Sequence, residues 1–240
     1  MDRSSPRNSS VAPERRLLTG GADGRRSQPL NKADEAYRRI EELITFQELS
    51  PGQLVSEAML AEISEVGRTP VREALQRLAR EGMVEIHPSR GILVAPLSVE
   101  SQLHLLEIRR SLEELAVRLA ARRSGPALRQ EMLALADALE AFSGDDYRPF
   151  GPLLKRSHGL IAAGAQNPYL PVAMAPLQGL SRRFWFANLR DVAGDLREGA
   201  DKHIAILRAI HARDAEAAAQ ASLALNDYLV EFAHRTLRDR

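Results

Sequence analysis

A chain of 240 residues has room for two ordinary domains, and 44% apolar with 27% charged residues is the balance of a globular fold. It contains no cysteine, which excludes a disulfide framework, a thiolate metal site and a cysteine nucleophile, and fits a reducing cytoplasm. The net charge is +1, and residues 30–97 hold eight Lys/Arg against eleven Asp/Glu. That balance excludes a general polyanion binder, so any nucleic-acid contact rests on locally placed cations.

Aromatics are only 5% while Ala and Leu dominate, which favours helix-on-helix packing and predicts a mostly α fold. No run of about eighteen apolar residues is present, so no membrane partner is expected. The N-terminus lacks the apolar core of a secretion signal. Residues 1–29 are rich in Ser, Pro, Gly and Arg without apolar periodicity. Ordering them would cost backbone entropy with little burial in return, and a disordered tail is expected.

From Ala36 the spacing of Tyr37, Ile40, Leu43 and Ile44 is helical and stops near Ser50-Pro51-Gly52. Ser56 is a suitable N-cap for a short second helix through Met59, Leu60 and Ile63, ending near Ser64. A third helix begins at Gly67. It turns Val71, Ala74, Leu75 and Leu78 to one face and Arg68, Thr69, Arg72 and Gln76 to a neighbouring one, with Pro70 tolerated in its first turn. Residues 83–87 and 92–95 are β-prone runs joined by Pro88-Ser89-Arg90-Gly91, a hairpin. Three helices and a β-ribbon over 30–97 make a winged helix-turn-helix, and Pro96-Leu97-Ser98 leads out of it. Residues 98–240 read as an all-α bundle with helices near 99–123, 126–142, 147–165, 169–190, 196–212 and 215–238.

Residues 67–80 carry Arg68, Arg72, Arg77 and Arg80 against one acid, Glu73, the cationic exception in an acidic domain. Arg68 and Arg72 lie one turn apart, placed for bidentate contact with guanine, and Thr69 suits a phosphate oxygen. The stretch GRTPVREALQRLAREGMVEIHPSRGILVAPLS resembles the DNA-binding domain of the GntR family. The resemblance implies base contacts for Arg68 and Arg72, a phosphate contact for Thr69, and a wing tip of Arg90 and Gly91 entering the minor groove. It gives Glu57 a lower-ranked place in the same interface. Where that family has a turn glycine and then a serine cap, this chain has Glu65 and Gly67, which puts the turn geometry in question.

In the second half, hydrogen-bonding groups interrupt apolar helix faces: Arg109, His158, His203 and Asn226, each on a separate helix. Together they predict a polar cavity, and a guanidinium with two imidazoles favours a small carboxylate guest. LLEIRRSLEELAVRLAARR, HGLIAAGAQNPYL and HIAILRAIHARDAEAA resemble the helical, FCD-type effector domain of the FadR-like branch of the same family. There an Asp and three His often hold a divalent metal such as zinc. His158 and His203 match two of these ligands, whereas Leu154 stands at the Asp position and Leu225 and Asn226 near the third His. The reading is therefore a cytoplasmic, effector-responsive homodimeric repressor on an inverted-repeat operator in double-stranded DNA. Arg109, His158, His203 and Asn226 are its expected effector contacts. A metal-dependent hydrolase lacks a third ligand and a placed general base, and an architectural DNA-binding protein would not be acidic.

Overall fold

The structure is a computed structural model that describes Met1 and residues 31–238; the tail expected over 1–29 lies, but for Met1, outside the described residues. The described residues form nine α-helices and one small antiparallel sheet.

Helix α1 (Lys32–Thr45) starts where the Asn31 side chain accepts from the Ala33 amide at 2.7 Å. Strand β1 (Leu54–Val55) follows, then α2 (Glu57–Ile63), whose N-cap Ser56 accepts from the Met59 amide. Helix α3 (Arg68–Arg80) leads to β2 (Val84–His87) and β3 (Gly91–Val94). The sheet order is β1-β3-β2, with Val55 opposite Ile92 and Ile86 opposite Ile92 on the other side. Sequence periodicity misses β1, because two residues are too few to show alternation. Its pairing with β3 nonetheless ties the ribbon to the segment before α2.

The turn between α2 and α3 holds the departures from the family pattern. Glu65 takes a left-handed φ of 55°, the conformation a turn glycine would supply, and Gly67 caps α3 without a side-chain hydrogen bond. The geometry is kept, at the conformational expense of a non-glycine residue in that region. Beneath it, Ile40, Ile44, Leu60, Val71, Leu75, Leu78, Ile92 and Val94 form one apolar cluster.

The remainder is α4 (Val99–Arg123), α5 (Pro126–Ala141), α6 (Tyr147–Ala165), α7 (Tyr169–Ala187), α8 (Val192–His211) and α9 (Ala215–Arg238), packed about a second cluster. Helix α8 begins four residues before the expected 196. Asp191 accepts from the Gly194 amide and caps an added first turn that runs through that glycine. None of the described helices is long and apolar enough to cross a membrane.

Helices α4 and α6 approach closely at Gly164. A Cβ there would lie 2.4 Å from Ser124 Oγ and 3.1 Å from Ala120 Cβ. Gly164→Ala is expected to destabilise the protein by about 1–3 kcal/mol through overpacking, measured by urea unfolding. An unchanged midpoint would contradict this packing.

Candidate nucleic-acid interface and buried polar cavity

Burying Val71, Ala74, Leu75 and Leu78 of α3 leaves Arg68, Thr69, Arg72 and Arg80 exposed on the rest of the helix. The Arg68 and Arg72 side chains thus project from the N-terminal half of a packed helix, where a recognition helix offers its base-reading groups. The Arg72 Nε donates to the Glu57 carboxylate at 2.7 Å, so Glu57, at the start of α2, orients that guanidinium. Arg77 has a different task. It lies 3.7 Å from the centroid of the Tyr37 ring and donates to Glu81 at 3.1 Å, tying α3 to α1.

At the ribbon tip Arg90 is exposed and its amide donates to the His87 carbonyl. Gly91 has φ 110°, and a Cβ would stand 2.8 Å from the Val55 carbonyl oxygen. Only glycine fits where β1 crosses the base of this turn.

Inside the bundle, a small cavity of about 30 Å³ is walled by Arg109 of α4, Leu154 and His158 of α6, and Gln178, Ser181, Arg182 and Trp185 of α7. Gly199 and His203 of α8 and Leu225, Tyr228 and Leu229 of α9 complete the wall. Three of the four expected residues, Arg109, His158 and His203, meet there. Asn226 does not line it. Its amide donates to the Leu106 carbonyl at 3.0 Å and its oxygen accepts from Arg110, so it fastens α9 to α4. A polar residue on an apolar face looks the same in sequence whether it clamps a backbone or lines a cavity.

Arg109 is 3% exposed and is held by Glu113, one turn on, with Nη2 at 2.8 and 3.1 Å from the two carboxylate oxygens and Nε at 3.1 Å. The same carboxylate accepts from Gln178 at 2.9 Å. Glu113 thus already occupies the guanidinium that the sequence reading gave to a guest carboxylate. The i, i+4 spacing of Arg109 and Glu113 was the available signal. Gln178, Ser181, Arg182 and Trp185 share one face of α7, but the surrounding apolar run hides it in sequence.

The two imidazoles face each other with Nε2 atoms 3.5 Å apart, and the His203 Nδ1 lies 2.8 Å from the Gly199 carbonyl. Burial, then the neighbouring His203, Arg109 and Arg182, push the His158 pKa well below the usual histidine value. Burial also lowers that of His203 despite its Gly199 bond. Among the described residues no three His, Asp or Glu side chains converge as a metal site would require. Leu154 and Leu225, at or near the two unmatched positions of the metal set, line this same cavity.

Helix α7 also reaches the winged-helix part. Arg182, in the cavity wall, pairs with Glu41 of α1, a carboxylate 3% exposed that Lys155 of α6 also holds. Burial raises the Glu41 pKa, but the two cations outweigh it and hold it below the usual value. The next residue, Arg183, is fully buried and donates to the Ala95 carbonyl, while its Nε has no partner. Burial lowers its pKa to about 10. Leu180 packs into the apolar cluster of the winged helix.

A winged helix-turn-helix joined to a helical bundle with an interior cavity is the build of a transcriptional regulator, not an enzyme. Residues 32–94 match the bacterial regulatory proteins of the gntR family and residues 104–227 match the FCD domain, so the chain belongs to the GntR family, with an FCD domain. It is 33% identical over 144 residues to the Nta operon transcriptional regulator of Aminobacter aminovorans, across 59% of this chain and 66% of that protein. The matched stretch is therefore just under two thirds of that relative's length. To the HTH-type transcriptional repressor GlaR of Escherichia coli (strain K12) it is 26% identical over 194 residues, 78% of this chain and 88% of that one. The solved structure of E. coli McbR/YncC shares the fold, with a TM-score of 0.71 at 21% identity over 87% of this chain and 100% of that chain.

The lowered histidine pKa values carry a consequence for stability. The unfolded chain takes up these protons near the ordinary value of about 6.5, and the folded chain only at lower pH. Stability is thus expected to fall as pH drops from about 7.5 to 5.5. His158→Gln should flatten that dependence, followed as urea midpoints. An equal slope in wild type and variant would show that His158 is not held neutral.

Proposed function

We propose that the protein is a homodimeric, effector-responsive repressor that grips an inverted repeat with Arg68, Thr69 and Arg72 of α3 and with the wing tip at Arg90 and Gly91. Glu57 serves by orienting Arg72. A small molecule occupying the cavity displaces α7, and with it the Arg182–Glu41 and Arg183–Ala95 contacts that hold the DNA-reading part. The observation that carries this reading is that one helix lines the cavity and grips α1. The dimer contact is assigned to α4, where Ile108 and Leu115 are 55% and 45% exposed, one heptad apart, beside the half-buried Leu105, Leu112 and Leu119. Repression is supported by the repressor named among its relatives.

Selection from a random duplex library is expected to return an inverted repeat, and Arg72→Ala to lose about 1–3 kcal/mol of discrimination at one base pair per half-site. A selected site without dyad symmetry, or one read equally well by the variant, would refute the assignment. Ile108→Glu combined with Leu115→Glu should sediment as a monomer and bind the full repeat no better than a half-site. A dimer in that variant moves the contact elsewhere.

A further inference from the structure

Among the fully buried side-chain polar atoms of the residues lining the cavity, one has no hydrogen-bond partner. The Gly199 carbonyl can only accept, so the His203 Nδ1 carries a hydrogen and its Nε2 is bare in the neutral ring. A hydrogen bond between the two Nε2 atoms, 3.5 Å apart, then places the hydrogen on the His158 Nε2 and leaves the His158 Nδ1 as a bare acceptor. That nitrogen is sealed from solvent and has no partner.

This pattern does not suit a metal. A metal-bound histidine as a rule donates its second N–H to a carbonyl or carboxylate, and His158 has no such acceptor. A tetrahedral site needs further donors, and Leu154 and Leu225 offer none. An anion fares no better at Arg109, because displacing Glu113 would leave a buried carboxylate uncompensated beside Gln178.

We propose, resting on the effector reading above, that the cavity takes an uncharged ligand with a hydroxyl donor on an apolar body, without metal. The hydroxyl donates to the His158 Nδ1, and the apolar body lies against Leu154, Leu225, Leu229 and Trp185. The space in this structure is about 30 Å³, room for about two water molecules, so such a ligand enters by enlarging it. Enlargement pushes on α7, which forms much of the wall.

Trp185 is the sole tryptophan of the chain, so its emission reports on this cavity. Full-length protein, stripped with chelator, is titrated with phenol, toluene and benzoate, each with and without added zinc. Phenol is expected to give a saturable change that zinc does not alter. Toluene and benzoate should bind about tenfold more weakly, the scale of one hydrogen bond. His158→Phe should erase the preference for phenol over toluene while far-ultraviolet circular dichroism stays native. In wild type, long-range proton–nitrogen correlation spectra should show hydrogen on the His203 Nδ1 and the His158 Nε2. Zinc bound at one per chain with benzoate binding dependent on it, or metal-free protein binding benzoate as tightly as phenol, would overturn the ligand class and leave the effector site standing. Silence from all three molecules, with zinc or without, would overturn both.

Discussion

A buried carboxylate between two cations joins the DNA-reading part of this protein to its bundle. Glu41 lies on the inner side of α1 and has lost nearly all contact with water, so its charge is tolerable only because Arg182 and Lys155 meet it. Apolar packing alone would let α1 slide over α6 and α7, since hydrophobic contact has no direction. An ion cluster does have direction. It fixes which face of α1 meets the bundle, and therefore how α3, packed against α1, is presented. Phe46 of the following turn, edge-on to Phe186 at 5.2 Å, closes the same seam.

Arg182 belongs to both the seam and the cavity wall, which is what lets the proposed effector act on this junction. Its neighbours on α7 follow the same division: Gln178 and Ser181 face inward to Glu113 and Gln102, while Leu180 and Arg183 face the winged helix. A rigid rod with two different faces cannot answer a change on one without shifting the other. The proposed coupling needs no relay of small displacements across the bundle, only the movement of one helix.

Much of the architecture is legible in the sequence because it rests on local rules. The apolar spacings of α1, α3 and the bundle helices, the serine cap at 56 and the turn residues of the ribbon each specify their element without tertiary information. Arg68 and Arg72 are readable for the same reason: the buried face of α3 leaves them nowhere to go but outward. What the sequence hides is set by partners far along the chain. Strand β1 exists only through β3. The role of Asn226 is decided by a carbonyl 120 residues away, and Arg77 is turned onto the Tyr37 ring of α1. The saturation of Arg109 depends on Glu113 turning to the same interior, and only folding reveals that Leu154 and Leu225, at or near the positions where the resemblance implies metal ligands, share one cavity.

Arg183 leaves its side of this seam under-rewarded. A wholly buried guanidinium satisfied by one carbonyl, with a nitrogen left empty-handed, weakens the closed arrangement it belongs to. In the effector reading proposed above, a seam so poorly rewarded at one of its contacts yields more readily to a guest that pushes on α7. In that reading, a fully satisfied arginine there would make a sturdier protein and a deafer one.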